Sequence, residues 1–84
     1  MRSVRFGLPV VFTEHALRRM AERAMGEALV LDVIDTGIVR SADDMHLWIY
    51  KHIAEREDNL LCVAAVVQNA LIVKTVMHHW ELQP

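Results

Sequence analysis

Residues 46–53 read HLWIYKHI, and their alternation decides how the second half of the chain folds. Leu47, Ile49 and Ile53 fall on one side of an extended backbone. His46, Trp48, Tyr50 and His52 fall on the other, and Lys51 is a misfit on the apolar side. A period of two over this length predicts a strand with one face in the core. Its other face carries two aromatics between imidazoles, where a solvated strand normally shows Thr, Lys, Glu or Ser.

Working outward, Ala42-Asp43-Asp44 has turn chemistry and precedes a strand over about 45–54, with Ile38 to Ser41 as a shorter strand before it. Residues 55–59, EREDN, read as a charged hairpin loop. Residues 60–67 are apolar on both faces, which predicts a central strand. Gln68-Asn69-Ala70 is a short turn, and 71–80 is the last strand. Simple alternation on that strand puts Leu71, Val73, Thr75, Met77 and His79 on one face. Ile72, Lys74, Val76, His78 and Trp80 fall on the other, and the charge and the large aromatic assign that set to the open side.

The period before Gly37 is helical. Thr13 is the N-cap of a helix over about 13–25, whose expected buried stripe is Leu17, Met20, Ala21 and Ala24. A second helix over about 27–36 presents Leu29, Val30, Val33 and Ile34, and Gly37 reads as a left-handed C′ residue. Residues 1–9 look irregular or form a short strand. The expectation is a single α+β domain over residues 1–84. Two N-terminal helices pack on a four-stranded antiparallel meander.

The 84 residues carry a net charge of −2, so binding of nucleic acid by bulk charge is not expected. A hydrophobic fraction of 54% in so short a chain leans toward a homodimer or a protein partner. Cys62 lies in an apolar run and reads as a buried, inert thiol. The segment MRSVRFGLPVVFTEH lacks an apolar core for a secretory leader, and the longest uncharged run, 59–73, is too short to span a bilayer. A cytoplasmic protein without membrane contact is expected.

Three constellations could carry chemistry. On the first helix His15, Arg18, Arg19, Glu22 and Arg23 share one face and form a cationic ridge. A solvated face with ion pairs is the simpler reading of that ridge. On the open sheet face Trp48, Tyr50 and Trp80 either cover the sheet as a dimer or partner surface, or stack RNA bases. In the second case Lys74 and the ridge arginines would hold phosphate, and His78 or His52 would transfer protons. The third is a metal site. His78 and His79 are adjacent, and neighbours on a strand point to opposite faces. No HExxH or cysteine cluster is present, so neither metal nor cofactor is expected.

The stretch FTEHALRRMAERAM adds a resemblance. It resembles the opening of domain-of-unknown-function family 4258, whose members have a short strand, then a helix reading roughly His-Ala-x-x-Arg-Met-x-Glu-Arg. Here those residues are His15, Ala16, Arg19, Met20, Glu22 and Arg23. The family continues with a second helix and a meander whose last strand ends near a Thr-Val step, here Thr75-Val76, so the resemblance covers about residues 10–80. The family looks like a relative of the RelE-type and BrnT-type toxin ribonucleases. The resemblance implies a small RelE-like toxin that cleaves RNA without metal and is held by a cognate antitoxin. His15, Arg19, Glu22 and Arg23 carry over by match. In that reading Arg19 and Arg23 bind phosphate, and His15 and His78 are the acid–base candidates. Lys74 stabilises charge, while Arg18, Trp48, Tyr50, His52 and Trp80 contact substrate. The alternative is a noncatalytic module that dimerises or binds a partner through its aromatic face.

Overall fold

The computed structural model describes residues 1–81. Eight elements follow in order: β1 (Arg2–Ser3), β2 (Leu8–Phe12), α1 (Glu14–Glu22), α2 (Glu27–Thr36), β3 (Ile38–Ser41), β4 (His46–Lys51), β5 (Leu61–Val67) and β6 (Leu71–Met77). The class is α+β, as the change of period implies. The sheet, however, has six strands in the order β1-β2-β6-β5-β4-β3, where four were expected. β3 to β6 form the antiparallel meander. β2 joins it by pairing parallel to β6, and β1 pairs antiparallel to β2, so the sheet is mixed. Gly7 and Pro9 hid this strand from a local reading, because a parallel edge is held by a partner some sixty residues away, with Val10 beside Leu71.

The N-terminal hairpin is fastened by polar contacts. Buried Ser3 donates through Oγ to Asp35 Oδ1 at 2.5 Å, and Arg5 Nη1 donates to the carbonyls of Ile34 (3.2 Å) and Gly37 (2.7 Å). These bonds satisfy the carbonyl end of α2, which has no basic residue of its own in the last turn.

Both helices cover one face of the sheet. One core gathers Ala16, Met20, Val30, Val33 and Ile34 from the helices with Leu47, Ile49, Val63, Val73 and Val76 from the strands. Lys51 ceases to be a misfit: its ammonium reaches over this side to Asp32 Oδ2 (2.8 Å) and Thr36 Oγ1 (2.6 Å) on α2.

The last strand departs from simple alternation. Ala64 pairs with Thr75 and Ala65 with Val73, so Lys74 is an extra residue in a β-bulge. Leu71 and Val73 point to the core as expected. Beyond the bulge the parity inverts: Val76 is fully buried, and Thr75 and Met77 move to the open side. The exchange is favourable. Burying a valine gains about 1.5–3 kcal/mol, whereas burying an unpartnered threonine hydroxyl costs about 1–3 kcal/mol. The carbonyl freed at Lys74 accepts from Thr13 Oγ1 at 3.1 Å.

That bond sets the phase of α1. Thr13 N donates to Val73 O (3.1 Å), and Thr13 Oγ1 accepts from Ala16 N (3.0 Å). The helix therefore seats on Ala16 and Met20. Leu17, Ala21 and Ala24, expected in the stripe, are exposed, while Arg19 and Arg23 flank the buried side. The helix also ends at Glu22, before the expected 25, because Ala24 is left-handed (φ 53°) and Met25 N bonds back to Met20 O at 2.8 Å.

The outer ends of two strands fall short in the same way. β4 stops at Lys51 because Ile53 N donates to Asn59 Oδ1 (2.8 Å), and Asn59 Nδ2 donates to the Ile53 and Arg56 carbonyls, closing the loop early. β6 stops at Met77 because His79 takes a left-handed conformation (φ 51°).

Candidate functional site

The face of the sheet away from the helices follows from the registers. Three rows cross it: His46, Val66, Ile72 and Val11; then Arg40, Trp48, Ala64 and Thr75; then Ile38, Tyr50, Cys62 and Met77. The middle strand supplies small residues, Cys62 and Ala64, beside Tyr50 and Trp48. Small neighbours leave room for large rings to lie over the strand.

Trp80 enters this room from beyond the end of β6. His79 N donates to Asp58 O (3.0 Å), and Trp80 N donates to Leu60 O (3.0 Å). The left-handed step at His79 turns the chain so that the Trp80 ring returns to the open face. It meets Trp48 edge-on, with centroids 5.6 Å apart and planes at 85°, and lies over Tyr50 at 5.1 Å and 38°. Edge-to-face and offset contacts of this kind add about 0.5–1.5 kcal/mol beyond burial. Trp48, Tyr50 and Trp80 thus form one cluster, and Trp48 remains 36% exposed. Cys62 is not a nucleophile in this setting: burial pushes its thiol up to about 12, so it stays protonated.

The other sequence-predicted residues do not join this cluster. α1 packs on the opposite face, so His15, Arg18 and Arg19 are separated from the aromatics by the thickness of the sheet. His15 and Arg18 are exposed, and Arg19 is bound to Glu22 at 2.7 Å, a contact that holds the Glu22 carboxyl below its usual range. Arg23 is not a freely solvated cation, since its Nε and Nη1 are buried without a hydrogen-bond partner. Lys74 is exposed at the bulge, beside the first turn of α1 through the Thr13 bond. His52 is exposed just past β4.

His78 belongs to a clamp at the far end of α1. Its Nδ1 donates to Asp58 Oδ2 at 3.1 Å. Asp58 also takes Arg56 Nε (2.7 Å) and Nη2 (2.6 Å), and Arg56 donates onward to the carbonyls of Arg23 (2.8 Å) and Ala24 (3.0 Å). The Arg56 guanidinium first, and His78 second, hold the Asp58 carboxyl well below the usual carboxylate range. Arg56 thereby satisfies the open carbonyls at the end of α1. His15 sits in the first turn of that helix and the clamp at its end, so the two are about 12 Å apart along the axis at 1.5 Å per residue. The structure therefore does not bring His15 and His78 to one scissile bond.

A second His–Asp pair lies at the rim of the open face. Asp43 Oδ1 accepts from Met45 N (2.8 Å), His46 N (2.8 Å) and His46 Nδ1 (2.9 Å). These bonds, the Met45 amide foremost, lower the Asp43 carboxyl to about 2. The sequence reading placed His46 on the open face and assigned it no role. The signal was present in the spacing Asp43-x-x-His46, which lets a turn carboxylate orient the first residue of a strand. Arg40, beside Trp48, also went unassigned.

Among the described residues no three His, Cys, Asp or Glu side chains converge as metal ligands, and no pocket is present. Among them, too, no helix is long and apolar enough to cross a membrane.

Two helices on one face of a mixed sheet, with an aromatic cluster on the other, define a two-layer α+β domain. The chain belongs to the family described as Domain of unknown function (DUF4258), whose model matches residues 12–78, from the last residue of β2 to the residue after β6. No curated protein and no solved structure matches the chain significantly.

Proposed function

We propose that this protein is a small endoribonuclease of the RelE-like toxin kind, cutting single-stranded RNA without a metal ion. The observation that carries the reading is the Trp48–Tyr50–Trp80 cluster on the open face of the sheet. Base stacking on such rings is worth about 1–3 kcal/mol per base and tolerates any sequence. It needs no basic surface overall, which suits a chain of net charge −2. Single strands are the form of RNA whose bases can splay onto rings. The family looks like a relative of the RelE-type and BrnT-type toxin ribonucleases, which adds weight to RNA as substrate and to an antitoxin as partner. In this reading the open face contacts RNA, and the α1 ridge of His15, Arg18 and Arg19 lies behind it.

The second reading is a noncatalytic module that dimerises or binds a protein through the same face. It is favoured by apolar side chains left exposed there, Val11 at 49% and Ile38 at 60%. Exposed apolar area around an aromatic centre is how protein interfaces are built.

One experiment separates the two. Wild type, Trp80→Ala and His15→Ala are incubated with total cellular RNA in EDTA, and fragment ends are mapped. Discrete cuts by wild type, lost in Trp80→Ala and kept in folded His15→Ala, support the ribonuclease with its site on the open face. Cuts lost in His15→Ala and kept in Trp80→Ala move the site to the ridge. Intact RNA throughout, with a sedimentation mass that falls in Trp80→Ala, favours the interaction module.

A further inference from the structure

We propose that His46, oriented by Asp43, is the general base of the open face and activates the ribose 2′-hydroxyl of a single-stranded RNA. The inference rests on the ribonuclease reading and names the proton acceptor that the aromatic cluster lacks.

Position comes first. His46 and Trp48 are two apart on β4, so both face the open side, about 7 Å apart along the strand. A base stacked on Trp48 can then lay its ribose over the imidazole. Arg40 lies on the same face, directly across the β3–β4 pairing from Trp48, and supplies a cation near the phosphate.

Orientation comes second. A carboxylate accepts and never donates when ionised, so Nδ1 of His46 must carry the hydrogen in the 2.9 Å contact with Asp43 Oδ1. In the neutral ring Nε2 is then the free base, and the same contact turns it away from the turn. The side chain is 55% exposed, which leaves Nε2 accessible to a ligand lying on the sheet.

The turn does not need the ring. Asp43 already accepts the amides of Met45 and His46 at 2.8 Å each, which fixes the turn between β3 and β4. The third contact joins two exposed side chains and is worth little to stability. His78 differs on each count: its Asp58 is engaged by Arg56, and that guanidinium braces the end of α1.

The step balances without a co-reactant. Nε2 removes the 2′-hydroxyl proton, and the 2′-oxygen forms a bond to the adjacent phosphorus. The bond from phosphorus to the 5′-oxygen breaks, and the leaving oxygen keeps the pair and takes a proton from water. The imidazolium returns its proton to the hydroxide so formed. The products are a 2′,3′-cyclic phosphate and a 5′-hydroxyl, with no change of oxidation state.

The test uses the full chain and an unstructured, end-labelled RNA oligonucleotide in EDTA. Wild type should leave 2′,3′-cyclic phosphate ends. His46→Ala should cut at least about 100-fold more slowly, the low end of what a positioned base contributes. Its thermal melt should be unchanged, and added free imidazole should restore part of the rate. Asp43→Asn should fall between the two. His46→Asn, which can still donate to Asp43, replaces the alanine variant if that does not fold. Wild-type rates in folded His46→Ala or His46→Asn would overturn the assignment and leave the ribonuclease reading standing. Intact RNA with wild type, under conditions where tryptophan fluorescence shows the oligonucleotide bound, would overturn both.

Discussion

Thr13 and Lys74 are joined by a hydrogen bond of 3.1 Å, from the N-cap hydroxyl of α1 to the bulge carbonyl of β6. The same hydroxyl accepts from Ala16 N at 3.0 Å, so one side chain caps the helix and satisfies the bulge. Thr13→Ala should therefore cost about 1–2 kcal/mol, the upper part of the range for a lost N-cap. Thr13→Ser should recover most of it. Urea unfolding will check this, and the midpoint should fall with the slope unchanged.

Gly37 makes a second prediction for a reason unlike the one its position suggests. A glycine after a helix normally adopts a left-handed conformation, but φ here is −75°, which any residue tolerates. Space is what requires glycine. A Cβ at this position would lie 2.5 Å from Val33 O, 2.7 Å from Tyr50 O and 3.2 Å from Ile49 Cγ2. Two of these are backbone atoms held in α2 and β4 and cannot yield. Gly37→Ala should destabilise by about 3 kcal/mol, at the top of the overpacking range, measured by thermal or denaturant melts.

Acid stability should report two carboxylates. Asp58 and Asp43 both titrate below their unfolded values, Asp58 because of Arg56 and then His78, Asp43 because of amides and His46, to about 2. A depressed folded pKa adds stability that is complete above the unfolded value of about 3.9 and is lost as pH falls through the folded one. The melting temperature should thus hold above about pH 5 and decline steadily below pH 4. Asp58→Asn should lower stability at neutral pH and flatten that decline. Asp43→Asn should flatten it less, since its side chain is more exposed, 60% against 21%. An unchanged acid slope in Asp58→Asn would show that the clamp is not the titrating element.

Trp80 shows how much of this was legible in the sequence. The helices, the turn at Asp43 and the β3–β6 meander follow from local period and turn chemistry, because each is decided by neighbours along the chain. Alternation also put Trp80 on the open face, and it is there, but by another route. The bulge at Lys74 inverts the parity of β6, and the left-handed residue His79 inverts it again. Between the two irregularities the assignment fails: Val76 is in the core and His78 is in the Asp58 clamp. Neither irregularity has a strong local signal, since the donor and acceptors that hold them, Thr13, Asp58 and Leu60, are distant in sequence. The phase of α1 was lost for the same reason, being set by the strand that receives Thr13. The parallel β2–β6 edge likewise depends on a contact between the two ends of the fold.

The aromatic cluster gives the last prediction, which bears on function through binding alone. If successive bases stack on Trp48 and Trp80, each substitution by alanine removes about 1–3 kcal/mol, or roughly five- to more than a hundred-fold in affinity for an unstructured RNA. The two losses should not add. The rings touch at 5.6 Å, and removing Trp80 also uncovers Tyr50, so the double variant should bind little worse than Trp80→Ala. Fluorescence anisotropy with a labelled oligonucleotide measures this directly. Weak dependence on base identity is expected, since stacking reads a ring face that every base presents. Affinity lost in Trp48→Ala and Trp80→Ala but untouched in His15→Ala and Arg19→Ala would put RNA on the open face. The reverse pattern would put it on α1, where the helix carries the cations.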